Sequence, residues 1–174
     1  MKRLSLMLAT AAVAIGTSVL GVGVAQAAPG VDPVASLAAA GVPAPIAAAA
    51  ATATPVAASA EEINLANPTA GNPGLQVDAR IDHTRKTIAV IQRGIIERSQ
   101  LTAAWVNLRT GASGVTGLPQ SVPSTDPRSY PDRVGVLPTG AGPVILVVYG
   151  PTPSQTGLIP QLNYILPRVR LIQV

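Results

Sequence analysis

Catalysis needs a nucleophile, a proton carrier or a metal cage, and this chain carries few of the residues that build them. It has one histidine, His83, and no cysteine. A catalytic histidine needs an acid to orient it and a nucleophile to deprotonate. Asp82 is its sequence neighbour, so the two side chains diverge in a strand or turn, and a solvated turn residue is expected. Without cysteine there is no thiolate nucleophile, thiolate zinc site, disulfide or lipid attachment point, so folding is indifferent to the redox state of its compartment. Gly111-Ala112-Ser113-Gly114 begins like a nucleophile elbow, but Val115 stands where that pattern needs its second glycine. Leu137-Pro138-Thr139-Gly140 resembles a wall-sorting signal. It lacks the residue between proline and threonine, and more strand sequence follows it.

Carboxylates come next. Asp78, Asp82, Glu97, Asp126 and Asp132 are the acids of the C-terminal two-thirds. A glycoside hydrolase needs two such groups facing one bond. Asp126 and Asp132 share a proline-rich loop, where sites are often carried, which defines one reading: a secreted hydrolase with a loop carboxylate site. Aspartate beside proline is also an ordinary turn former. Scattered acids and a single histidine make no metal-ligand pattern, and no cofactor motif is present. The leading expectation is therefore a non-enzymatic protein.

The basic residues are more concentrated. Arg80, Arg85, Lys86 and Arg93 crowd one predicted hairpin and its exit, with Arg98 beyond. They are the candidate binding residues, suited to an anionic envelope glycan, a lipid head group or another envelope protein. Asp78, Asp82 and Glu97 are interspersed, which is also the pattern of a mixed solvated surface. The formal charge is +4, but Lys2 and Arg3 belong to the leader described below; ten basic against eight acidic residues then leave +2. That balance gives no reason to expect nucleic acid.

These side chains need a scaffold. The longest run of large apolar residues beyond the leader is Val144 to Tyr149, closed by Pro143 and by Gly150-Pro151, and it predicts a strand buried on both faces. Leu75 to Asp82 alternates apolar and polar residues, and Thr87 to Gln92 reads as its hairpin partner. Arg98 to Leu108 places Leu101, Ala103 and Trp105 on one face, with Trp105 expected in the core. Val115 to Leu118, Arg133 to Leu137, Gln161 to Leu166 and Arg168 to Val174 are further strands, and the central run is expected between Arg133–Leu137 and Arg168–Val174. Pro119 to Asp132 is expected to hold no regular structure. Strands this short and frequent predict an all-β antiparallel sandwich over 75–174, immunoglobulin-like in layout. No Cys…Trp…Cys framework supports a closer assignment.

The N-terminal third differs. Met1-Lys2-Arg3, the apolar stretch Leu4 to Val24 and Ala25-Gln26-Ala27 follow the layout of a secretory signal peptide over 1–27, cut before Ala28. Cleavage leaves no transmembrane span. Residues 28–74 hold seven prolines among alanine tracts and are expected to form a low-complexity linker, disordered or in short helices. Asp32-Pro33 is a helix start and Gly41 a stop; Ser59 to Glu62 has capping-box spacing. The expected protein is thus exported, with a binding or structural role at the cell envelope or outside the cell. An envelope pore subunit is the remaining alternative, although the chain is only 2% aromatic and membrane barrels carry aromatic girdles.

Overall fold

The computed structural model describes residues 30–67, 76–152 and 163–174. The predicted signal peptide, the end of the linker, Leu75 and the start of the predicted strand at Gln161 lie outside the described residues. The described chain is mostly β. Its elements are α1 (Pro33–Ala39), α2 (Ala44–Ala48) with a 3-10 turn (Ala49–Thr52), then β1 (Thr54–Pro55), β2 (Glu62–Ala66), β3 (Val77–Asp82) and β4 (Thr87–Gln92). There follow β5 (Thr102–Asn107), β6 (Ser113–Gly117), β7 (Gln120–Val122), β8 (Asp132–Leu137), β9 (Pro143–Thr152) and β10 (Asn163–Gln173). They form two five-stranded sheets, ordered β1-β10-β9-β5-β6 and β2-β3-β4-β8-β7. All pairings are antiparallel except β1 with β10.

Period-two patterning places the core. Leu101, Ala103 and Trp105 of β5 and Val144, Leu146 and Val148 of β9 meet Val77, Ala79, Ile81, Ile88, Val90 and Leu137 of the other sheet in one buried cluster. Gly135 is needed in this layer: a Cβ there would lie 2.5 Å from the Gly117 carbonyl oxygen of the facing sheet. Trp105 takes its expected place, lying over Gly114, where an added Cβ would come 3.0 Å from its indole nitrogen. The run Val144 to Tyr149 is indeed buried on both faces, because its other side chains, Ile145, Val147 and Tyr149, belong to a second cluster.

That second cluster docks the short helices of the N-terminal segment on the sheet. Leu37, Val42, Ala47 and Ala50 of the helical segment pack on Ala104, Val106, Ile145, Val147 and Val169. Asp32 caps α1 by accepting from the amides of Val34 and Ala35, and Gly41 ends it with φ +94°. Alanines that look featureless in sequence lie flat on the sheet, and the helices, each too short to persist alone in water, are held by tertiary burial. The same segment enters both sheets, through β1 and β2. Ser59 to Glu62 starts no helix; Glu62 opens β2, whose Leu65 is buried.

Two pairings also differ from expectation. Arg133 to Leu137 is not a neighbour of the central strand: β8 lies between β4 and β7, while β9 lies between β5 and β10. Residues 138–142 carry the chain from one sheet to the other, and Asn107 holds this turn by donating to the carbonyls of Thr139 and Ala141 at 2.9 and 3.0 Å. The two predicted C-terminal strands are one, β10, with a register shift between Ile165 and Arg168; Pro167, lacking an amide hydrogen, sits in the bulge. The proline-rich loop contains β7, paired with β8. No helix among the described residues is long and apolar enough to cross a membrane.

Candidate functional site

The largest convergence of charged side chains sits where β4 ends. Gln92 is the last strand residue, and Arg93 leaves the sheet with its amide bonded to the Gln76 carbonyl at 3.0 Å. Its guanidinium then meets three acids from separate parts of the chain. Nε donates to Asp78 of β3 at 2.8 Å, Nη1 to Asp132 of β8 at 3.1 Å and Nη2 to Glu62 of β2 at 3.0 Å. Asp78 and Asp132 are buried, and Glu62 is half-exposed. Asp78 also accepts from the Asn64 and Gln76 side-chain amides, and Asp132 from the Gly94 amide at 2.9 Å. Burial opposes the Arg93 charge, but the hydrogen bonds and charges of Asp78 and Asp132 outweigh it and raise its pKa above the ordinary arginine value.

Beside this junction lies a polar cavity of about 490 Å³, lined by Glu62, Asn64, Asp78, Arg93, Asp126 and neighbouring serine and threonine residues. The two loop acids that the sequence pairs take different parts. Asp132 is inside the junction, bonded to Arg93 and Gly94. Asp126 is on the cavity wall, where its carboxylate accepts from the Arg128 amide at 2.9 Å in an Asx turn. Asp78 and Glu62, from strands, are its cavity neighbours. No group of three or more potential metal-ligating acids or histidines occurs among the described residues.

The four candidate binding residues divide. Arg93 is engaged by carboxylates on every side of its guanidinium and is part of the scaffold. Arg80 stands exposed in the middle of β3, between its register partners Glu62 and Ala89. Arg85 and Lys86 are exposed in the β3–β4 turn. Arg85 lies 3.7 Å from Asp82 at the solvent-exposed surface. Lys86 has φ +58°, the only non-glycine with positive φ among the described residues, and its carbonyl accepts from the Gly140 amide and the Thr139 hydroxyl. The turn is therefore held from behind while its cations face outward.

His83 is more than a solvated turn residue. Its Nε2 lies 3.2 Å from the Ala60 carbonyl, tying the turn to the segment ahead of β2. Ser113 likewise serves structure, donating to the Ser36 carbonyl at 3.4 Å and linking β6 to α1. Sequence reasoning missed the neutralisation of Arg93, since its three partners lie at separations of 15, 31 and 39 residues. It also missed Arg133, which reaches across to the carbonyls of Ile96 and Glu97. No local signal marks either. Comparison of the chain with protein-family models, with curated proteins and with solved structures finds no match in any of the three.

Proposed function

We propose that this chain is an exported, non-catalytic β-sandwich protein, immunoglobulin-like in layout, that binds an anionic glycan of the cell envelope through its first hairpin. The observation that carries this reading is the division among the basic residues. Arg93 is neutralised by three acids, whereas Arg80, Arg85 and Lys86 remain at the surface, with one exposed 3.7 Å pair among them. Exposed pairs of that kind contribute about 0–1 kcal/mol, so they leave the cations available to a polyanion. The rigid backing of the turn lowers the ordering cost of binding. Export rests on the leader pattern, Lys2-Arg3 followed by an apolar stretch and Ala25-Gln26-Ala27.

The test is retention on an immobilised anionic glycan such as heparin, comparing the wild type with the variant in which Arg80, Arg85 and Lys86 are all alanine. The variant should elute at clearly lower salt with an unchanged melting temperature. Elution at the same salt sinks the hairpin reading, and binding to anionic vesicles or to an acidic envelope protein instead would redirect it. For export, the mature protein should begin at Ala28; an intact Met1 in the membrane fraction would contradict it.

A second reading, a hydrolase, is favoured by one observation: Glu62, Asp78 and Asp126 line a single cavity. Hydrolysis of an envelope polysaccharide that disappears in Asp126→Asn, with folding intact, would establish it over the binding reading.

A further inference from the structure

Two further cations, outside any ion pair among the described residues, occur at the other end of the sandwich. β4 runs from the hairpin end to Gln92, whose register partner is Arg133 of β8. Six residues of strand separate the two ends by roughly 17 Å. There a concave site of about 400 Å³ is lined by Arg98, Ser99, Gly117, Leu118, Pro119 and Arg133. Its size is that of a small-ligand site.

The charge state of this cavity is unlike that of the Arg93 junction. All eight acids of the chain lie within the described residues, and none of the ion pairs there involves Arg98 or Arg133. Each arginine follows an acid in sequence: Asp132, before Arg133, is buried and bonded to Arg93 and the Gly94 amide, and Glu97, before Arg98, is exposed and accepts from Arg133 through its backbone carbonyl. Arg133 donates from Nε to Glu97 O at 2.8 Å and from Nη2 to Ile96 O at 2.7 Å. Carbonyl oxygens orient the guanidinium without cancelling its charge, and Nη1 has no bond among the described residues. The Ser99 hydroxyl is committed to Gln92 Oε1 at 2.6 Å and so forms wall, not contact. Arg98, which also lines the cavity, is exposed and makes no ion pair among the described residues.

We infer that this cavity is an oxyanion-binding site, with Arg133 as the fixed donor and Arg98 as the mobile one. Two guanidinium groups facing a concave wall suit a phosphate, sulfate or carboxylate group, which a planar fork engages through paired hydrogen bonds. The site is independent of the hairpin reading, because it shares no residue with it.

The test is calorimetric titration of the full chain at low salt with inorganic phosphate, glucuronate and, as the uncharged control, glucose. Phosphate or glucuronate should bind and raise the melting temperature, and glucose should do neither; the better anion identifies a phosphoryl or a sugar-carboxylate source. Arg98→Ala should weaken binding roughly tenfold or more, because a charge-assisted hydrogen-bond donor is lost, with the unliganded melting temperature unchanged. Arg133→Met should lower both binding and stability, so Arg98→Ala is the decisive variant. The hairpin variant should titrate as the wild type, which separates failure here from failure of the glycan reading. Anion binding that is equal in Arg98→Ala and wild type, or absent from the wild type, overturns the inference.

Discussion

Replacing Arg93 with methionine keeps most of the side-chain volume and removes the charge on which Asp78, Asp132 and Glu62 converge. The side chains of Asp78 and Asp132 are only 5% and 4% exposed, against 24% for Arg93 and 50% for Glu62. Asp78 would keep its bonds from Asn64 and Gln76, and Asp132 its bond from Gly94, so neither is stripped of donors. What each loses is a charge-assisted bond of about 1.5–3 kcal/mol. Because Arg93 is partly wet, the lower end of that range applies, and the two bonds together amount to about 3 kcal/mol. The Glu62 pair adds less than about 1 kcal/mol. Urea unfolding at neutral pH should therefore show a loss of about 3 kcal/mol, against total stabilities of about 5–15 kcal/mol for domains in general, with the denaturant slope unchanged. The combined change Arg93→Met, Asp78→Asn and Asp132→Asn should recover part of that loss, since neutral partners leave no buried charge unpaired. A loss below about 1 kcal/mol for Arg93→Met, or additivity across the combined variant, would refute the account of Arg93 as a buried junction.

The docked helical segment gives a second expectation: Leu37 is fully buried, so Leu37→Ala should cost about 2–5 kcal/mol in urea melts, whereas an undocked spacer would show no change. Gly135→Ala would set a Cβ 2.5 Å from the Gly117 carbonyl oxygen, and shifting the strands should cost about 1–3 kcal/mol by the same measurement; wild-type stability would contradict the close approach. Asp82 is held below its ordinary pKa of 3.8, first by the Arg85 amide and also by the Thr84 amide and the Arg85 charge. A carboxylate with a depressed pKa contributes stability that is present above the unfolded value and is lost as the pH falls through the folded one. NMR titration of its carboxyl carbon should give a midpoint below 3.8; a midpoint at or above that value would remove the turn contribution.

The positions of β3, β4, β5, β8 and β9, the two-faced burial of Val144 to Tyr149 and the inward setting of Trp105 were legible in the chain, because alternation and breakers act over a few residues; β1, β2 and β7 were not. The Asp32-Pro33 helix start and the Gly41 stop were legible for the same reason. Partners were not. Whether alanines between residues 44 and 50 hang free or lie on a sheet depends on an apolar face supplied by β5 and β9, a hundred residues away in places, and short alanine helices carry no periodic stripe to announce it. Whether β8 sits beside β9 depends on which sheet each strand joins, and the turn between them, held by the Asn107 amide, gives no sign of that in sequence.

The same distinction separates the cations. The sequence by itself determined that basic residues cluster around the first hairpin, that no cysteine or second histidine can build common catalytic sites, and that strands dominate after Gln76. Only the tertiary structure decided which charges are already neutralised. Arg80 and Arg93 look alike in sequence, yet one ends at the surface and the other among three carboxylates, while Arg98 and Arg133, unremarkable in the chain, meet in a cavity without an acid. Hydropathy period is set by each residue's neighbours along the strand, whereas the electrostatic state of an arginine is set by whichever distant segments the fold brings within a few ångströms.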